Sequence, residues 1–300
     1  MKSRTTVEEL HHRAQELGLN LPPLLVAADQ VAAVVTQGIH GRRRVGQGET
    51  FWEFRRYKFG DPAQSIDWRQ SAKSDRIYIR ETEREAAQSV WLWRDETNSM
   101  NFSSKRSLPS KLERATLLEL ALASLLHRGG EHVALAGHSN STKLSLLEMA
   151  ETLSREPDRT TSVILDEEIP RDARMVFFGD FLDDPEDLKT TLKGLAGRGI
   201  TGVLIKIYDP AEQTLPYNGR VQFEGLEREP ALLIDRVEPL REEYQRAWSD
   251  HHDDLARFTS SIGWSLLSHD TSSPPEDVLM QLYLQLSDDI INEYRGSGAC

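Results

Sequence analysis

The segment QSVWLWRDETNS, Gln88 to Ser99, decides the fold of this chain. It begins as a fully apolar strand and ends in a loop of charged and hydroxyl side chains. Further apolar strands and helical segments alternate after it, in the order HVALAGH, MVFFGD, PEDLKTTLKGLAG and TGVLIKIYD, with an apolar helix over Leu112–His127 before the first of them. Continuous apolar strands alternating with helices are typical of a parallel sheet covered on both faces. The sequence therefore predicts a doubly wound, mostly parallel α/β core.

The regions around this core have a different pattern, which divides the chain into four parts. Residues 1–37 predict two helices, over residues 5–18 and 23–36, and residues 38–86 form a basic segment rich in Gly, Arg and aromatic side chains. The α/β core covers residues 87–210. Residues 211–300 predict a C-terminal α+β extension with a hairpin, a long charged helix, an edge strand over GWSLLSH and a last helix.

Composition limits the classes of function. The 300 residues carry a formal net charge of -12, which argues against a dedicated nucleic-acid-binding protein. The stretch from Arg42 to Arg80 is the exception, with ten Lys and Arg against five Asp and Glu. The single cysteine, Cys300, excludes an intrachain disulfide. The N-terminus has no apolar core of signal-peptide type, so we expect a cytoplasmic protein without a membrane segment.

Oxygen-bearing side chains follow two of the predicted strands. Asp95, Thr97 and Ser99 alternate directly after the first strand, and Asp180 follows MVFFG. In a doubly wound sheet these positions lie at the edge where ligands bind. Carboxylate and hydroxyl oxygens suit a hard divalent cation such as Mg²⁺ or Mn²⁺, which often keeps an open coordination position. The alternative is that these residues only form turns and helix caps.

The basic segment contains the second motif, FRRYKFGDPAQSIDWRQSA from Phe54 to Ala72. We interpret it as a scaffold that is packed by Tyr57, Phe59 and Trp68 and presents a basic surface, for a structural or partner-binding role. No histidine or nucleophile accompanies its aspartates, so catalysis there is not expected. The motif consists of Arg56, Tyr57, Gly60, Asp61, Ile66, Asp67, Trp68 and Ala72.

Both motifs resemble known families. The Asp95-x-Thr97-x-Ser99 loop is similar to the metal-ion-dependent adhesion site of von Willebrand factor A domains, usually Asp-x-Ser-x-Ser, and Asp180 falls where that fold places a later aspartate. The second motif resembles the hallmark of the bacterial domain-of-unknown-function family fifty-eight. Members of that family carry an A-like domain and are typically encoded beside MoxR-type AAA+ ATPases. The resemblance covers about Gly38 to Asp209 and implies an A-like fold for the core.

This sequence departs from the A-domain pattern at several positions. Thr97 stands in place of the usual serine but keeps a hydroxyl. Phe181 follows Asp180 where A domains usually have glycine. Thr160 and Thr161 are the candidates for the distant threonine that completes the metal site. In the second motif, Gln64 stands where family members often have arginine.

Together these features predict a non-catalytic interaction module. A cation at Asp95, Thr97, Ser99 and Asp180 would leave a position open for an acidic side chain of a partner. The family resemblance implies a MoxR-type AAA+ ATPase as partner, in the maturation or remodelling of other proteins. Two alternatives remain open: a metal-dependent hydrolase that uses Asp95 and Asp180, and a purely structural A-like domain without metal.

Overall fold

The structure is a computed structural model. The residues that it describes are 23–42, 51–57, 68–73, 77–82, 89–138, 144–154, 169–171, 173–182, 185–226 and 230–297. The chain divides into two compact units, one of residues 40–87 and one of residues 1–39 with 88–300. The smaller unit begins and ends within two residues of the basic segment delimited from the sequence.

Strands and helices occur in both units and alternate along the larger one. The described strands are β1 (Phe51–Arg56), β2 (Tyr78–Thr82), β3 (Ser89–Arg94), β4 (His132–Leu135), β5 (Arg174–Gly179), β6 (Thr201–Tyr208), β7 (Val221–Phe223), β8 (Leu232–Ile234) and β9 (Ser265–Asp270). The described α-helices are α1 (Pro23–Arg42), α2 (Trp68–Ser71), α3 (Lys111–Gly129), α4 (Leu146–Leu153), α5 (Pro185–Gly197), α6 (Pro210–Thr214), α7 (Arg241–Ser261) and α8 (Pro275–Ser297).

The centre of the larger unit is a five-stranded sheet in the order β4-β3-β5-β6-β9, and all neighbouring pairs are parallel. The prediction of a parallel α/β core is confirmed. One strand of this sheet lies outside the predicted boundaries of the core. Strand β9 belongs to residues 211–300, which the sequence pattern set apart as a C-terminal extension. Its partly apolar sequence allows it to pair along β6 at the edge of the sheet.

Alternate residues of the central strands enter two separate hydrophobic cores, one on each face of the sheet. On β6, Val203 and Ile205 pack into the core that contains residues of α1, α3 and α8, whereas Leu204 packs into the core with α5 and α7. Both cores are built from side chains with almost no exposed surface. Burial on both faces explains why these strands are apolar without alternation.

Helix α3, which packs under the first core, has clear sequence signals at both ends. Ser110 and Glu113 form a capping box at its start. Gly130 ends it with a φ of 88°, in the left-handed region that glycine adopts most easily. The helix predicted over Leu112–His127 is therefore confirmed, and it runs from Lys111 to Gly129.

The smaller unit contains an antiparallel pair of β1 and β2, as well as the short helix α2. The hydroxyl of Ser71 on α2 accepts a hydrogen bond from the backbone N–H of Tyr78 at 2.9 Å. Trp68, at the start of α2, leaves 68% of its surface exposed. The packing role predicted for this ring is therefore not seen, because a helix of a single turn leaves it on the outside.

Three other elements can be compared with their predictions. The helix expected over residues 23–36 is found as α1 and extends to Arg42, whereas the one over residues 5–18 lies outside the described residues. The hairpin expected after β6 is confirmed as β7 and β8. The pattern of KLSLLEMAETLSRE predicts a short strand running into a helix. The helix is found as α4, whereas Leu144 and Ser145, the residues described directly before it, are not in a strand. No helix in the described ranges is long and apolar enough to cross a membrane.

Candidate functional site

The candidate site lies where the direction of the chain across the sheet reverses. Strand β3 is followed along the chain by β4 on one side, and β5 then pairs with β3 on the other side. Connections that leave in opposite directions open a crevice at the carboxyl ends of these two strands, where doubly wound proteins bind ligands. Asp95 follows β3 and Asp180 follows β5, so both stand at this crevice.

The four predicted metal ligands lie together in one hydrogen-bonded cluster. Oδ1 of Asp95 accepts from the backbone N–H of Thr97 at 2.9 Å and from its hydroxyl at 2.7 Å. The hydroxyl oxygens of Thr97 and Ser99 are 3.0 Å apart. The hydroxyl of Ser99 donates to Oδ2 of Asp180 at 2.8 Å. The structure thus brings together all four side chains that the sequence singled out.

The backbone around Asp180 is tightly packed. A Cβ atom on Gly179 would lie 2.9 Å from Cβ of Asp95, so a side chain there would displace the loop after β3. Phe181 has a φ of 53°, in the left-handed region where a bulky residue is strained. Its buried ring belongs to the core beside α5 and α7, and this packing offsets the strain. Glycine would adopt this positive φ without strain.

Lys111 completes the site and is not among the residues predicted from the sequence. Its side chain is 1% exposed, and Nζ donates to Oδ2 of Asp180 at 2.7 Å and to Oε1 of Glu212 at 2.5 Å. Burial acts to lower the pKa of the Lys111 amine, but the carboxylates of Asp180 and Glu212 outweigh it and raise the pKa above its usual value. Lys111 is therefore an ammonium between two carboxylates at neutral pH.

Lys111 and Glu212 each stand at a recognisable helix start, but the sequence does not show that they pair. Lys111 is the first residue of α3, where the helix dipole disfavours a cation unless a nearby carboxylate compensates. Asp209 and Glu212 form the capping box of α6, which follows β6. The carboxylate of Asp209 is fully buried and accepts from the backbone N–H groups of Ser104 and Ala211, each at 2.8 Å. Asp209 thus ties the loop before α3 to the end of β6.

A divalent cation does not fit this arrangement of donors. The ammonium of Lys111 contacts the carboxylate of Asp180, where the charge of a bound cation would lie, so a second cation there would be repelled. Oδ1 of Asp95 already accepts two hydrogen bonds from Thr97. Within the described residues, no three His, Cys, Asp or Glu side chains are grouped to hold a metal. Thr160 and Thr161, the candidates for the distant threonine, lie outside those residues. These contacts argue against the predicted metal assignment, which only a metal titration tests.

A second buried charge cluster lies beside the loop after β3 and also packs against helix α3. Arg94, the last residue of β3, donates to Oε1 of Glu96 at 2.7 Å and to the backbone carbonyl of Leu153 at 3.2 Å. Arg94 also donates to the hydroxyl of Thr116 on α3. Nearby on α3, burial raises the pKa of Glu119 to about 7, with Arg94 acting against the shift.

The residues of the second motif belong to the smaller unit. Arg56 is the last residue of β1, and Tyr57 follows it and donates its N–H to the carbonyl of Ile77 at 2.9 Å. Ala72 directly follows α2 and is exposed. The remaining positions, Gly60, Asp61, Gln64, Ile66 and Asp67, lie outside the described residues.

The family of the chain follows from a comparison with family models. Residues 53–254 match the model described as "Protein of unknown function DUF58". The chain belongs to this family. The match spans both units and includes the loop after β3, Lys111 and Glu212.

Two relatives of this DUF58 protein are described as uncharacterized proteins. The chain is 24% identical to the uncharacterized protein Rv1480 of Mycobacterium tuberculosis and to Mb1516 of Mycobacterium bovis, over 84% of both chains in each case. A solved structure of the conserved hypothetical protein BatB from Bacteroides thetaiotaomicron is 15% identical, with a TM-score of 0.39 over 67% of this chain and 99% of that one. An aerotolerance-related membrane protein from Bacteroides fragilis is 17% identical, with a TM-score of 0.37 over 65% and 97%.

Proposed function

We propose that this DUF58 protein is a non-catalytic protein-interaction module with a von Willebrand A-like core, in which Lys111 takes the place of the metal ion of the adhesion site. The observation that carries the proposal is the buried ammonium bridging Asp180 and Glu212. It supplies the positive charge that holds together the loops after three parallel strands. In a metal-dependent A domain, we expect a cation to do this.

The same bridge argues against the hydrolase alternative. A lysine can serve as a general base only when its amine loses a proton, but the carboxylates of Asp180 and Glu212 raise the pKa of Lys111. The hydroxyl of Ser99 donates to Asp180, whose Oδ2 also accepts from Lys111. Oδ2 of Asp180 is thus held in an ion pair with Lys111, an arrangement that suits a structural role.

The interaction itself is assigned to the smaller unit. Trp68 is a large aromatic side chain with 68% of its surface exposed, next to the exposed Arg69. Tryptophan and arginine are the residues most enriched at the energetic centres of protein interfaces. The local net positive charge of the segment from Arg42 to Arg80 would attract an acidic partner surface. By family resemblance, that partner is a MoxR-type AAA+ ATPase.

This assignment is tested by co-purification of the chain with the MoxR-type AAA+ ATPase of the same organism. We expect wild type to retain the ATPase and Trp68→Ala to lose most of it, since exposed aromatic anchors contribute about 2 kcal/mol or more at interfaces. Leu232→Ala is the matched control, because Leu232 is an apolar side chain of the larger unit with a similar exposure of 59%.

The free energy of unfolding of both variants should stay within about 0.5 kcal/mol of wild type, since both positions are on the surface. Retention of the ATPase by Trp68→Ala at the wild-type level would remove Trp68 from the interface. A wild-type chain that never retains the ATPase would remove the partner assignment itself.

A further inference from the structure

The larger unit contains a pocket that no part of the proposed interaction uses. Its volume is about 440 Å³, and it lies beside the carboxyl-terminal halves of β6 and β9, with walls from α6 and α7. This volume is in the range of natural small-molecule sites. The pocket is lined by Lys206, Tyr208, Gln213, Thr214, Gln245, Trp248, Ser249, His252 and Ser268.

Lys206 is an unusual side chain to find in such a position. It lies in the middle of the sheet, where its neighbour across the strands is Ser268. The residue is 1% exposed, and Nζ is 4.3 Å from the ring centroid of Trp248. No hydrogen-bond acceptor lies within reach of this Nζ among the residues that the structure describes. A buried ammonium is costly without an acceptor, and the face of an aromatic ring compensates only partly.

The charged groups around Lys206 do not supply the hydrogen-bond acceptor that its Nζ lacks. Burial lowers the pKa of its amine to about 8, while Asp180 and Glu212 act to raise it and Lys111 acts to lower it further. Both carboxylates already bind Lys111 directly. At neutral pH, Lys206 is therefore mostly an ammonium.

The rest of the lining also favours a ligand that brings negative charge. The lining contains no Asp or Glu side chain, whereas Ser249, Ser268, Gln213 and His252 can all donate hydrogen bonds. Tyr208 and Trp248 meet edge to face, with ring centroids 5.5 Å apart, and form an apolar wall. An apolar wall with a few convergent donors is typical of sites for small organic ligands.

We propose that this pocket binds a small organic anion, whose carboxylate or phosphate group pairs with the ammonium of Lys206 while its apolar part packs on Trp248 and Tyr208. Such a ligand supplies the acceptor that Lys206 lacks. The site is distinct from the loop that contains Asp95, and it does not depend on the proposed protein partner.

The test uses benzoate and inorganic phosphate as probes, at constant ionic strength. The readout is the indole N–H resonance of Trp248 in two-dimensional NMR, identified by its loss in Trp248→Phe. We expect a saturable shift with at least one probe. Saturation by benzoate alone would assign a carboxylate ligand, and saturation by phosphate would assign a phosphate group.

Two pairs of variants connect the binding to the pocket. Lys206→Met should weaken binding by about tenfold or more, because it removes the charged partner of the anion. Lys193→Met is its control, since Lys193 also lies over an aromatic ring, 5.7 Å from the centroid of Phe258, but outside the pocket. Gln245→Glu places a negative charge on the exposed rim of the pocket and should also weaken binding, because the ligand is negative too. Gln222→Glu should not, since Gln222 is an exposed residue of β7 outside the pocket.

The second pair keeps the test valid even if Lys206→Met fails to fold, because Gln245 and Gln222 are both on the surface. No saturable shift with either probe in the folded wild type would overturn the proposal. Equal affinity of wild type and Gln245→Glu, or of wild type and folded Lys206→Met, would also overturn it.

Discussion

At the scale of single residues, the centre of the candidate site depends on one contact that the sequence does not reveal. Asp95, Thr97, Ser99 and Asp180 could be predicted because each follows a strand whose apolar pattern is unmistakable. Lys111 could not, because it reaches Asp180 across 69 residues and Glu212 across 101 residues of chain. Only folding shows that a cation at the start of a helix faces the ends of two strands. The sequence therefore predicted the acidic half of the site and missed its counter-charge.

The bridge makes a direct prediction for stability. Lys111→Met should lower the free energy of unfolding by about 3–5 kcal/mol, because it leaves two buried carboxylates without their partner. Lys189→Met is the control, since Lys189 pairs with Glu186 at 2.9 Å on the surface and should cost at most about 1 kcal/mol. Urea unfolding measures both. If the two variants lost the same free energy of unfolding, the role given to Lys111 would be contradicted.

At the scale of elements, most of the core could be predicted from patterns that are local in sequence. The strands β3, β5 and β6 are continuous apolar runs, and helices α3 and α5 end at glycines that the sequence shows. The pairing of β9 with β6 could not be predicted, because the choice of a neighbour depends on contacts between distant segments. For the same reason, the pattern gave Trp68 a packing role that its short helix does not provide.

Helix α3 provides an element-scale prediction about pH, since it buries Glu119 against the cluster of Arg94 and Glu96. Burial raises the pKa of Glu119 from 4.5 to about 7. Between these two values the folded state binds more protons than the unfolded state, so this group lowers stability as the pH rises. Glu119→Gln removes the effect. We expect the variant to gain about 2–3 kcal/mol relative to wild type between pH 5 and pH 8.

Chemical unfolding at several pH values measures this difference. Glu151→Gln on α4 is the control, because the same substitution at an exposed position reports the general effect of removing one negative charge. A difference between Glu119→Gln and wild type that stays constant over this range would show that Glu119 is not held in the environment described.

At the scale of the whole molecule, the two units have different roles in the proposed function. The larger unit is a parallel α/β domain whose crevice is closed by an internal ion pair and whose second pocket contains Lys206. The smaller unit carries the exposed Trp68 in a basic segment. This division explains why the family motif lies outside the sheet. It also makes the ion pair at Lys111 the feature that distinguishes this account from a metal-dependent adhesion module.

The most direct test of this central claim is a calorimetric titration of the metal-stripped chain with Mn²⁺. We predict that wild type shows no saturable binding, because Lys111 already supplies the positive charge beside Asp180. In Lys111→Ala, binding should appear and should stabilise the variant, since the carboxylates are then left without a partner. Saturable Mn²⁺ binding by wild type that is lost in Asp95→Ala would contradict the account and would establish a metal-ion-dependent site.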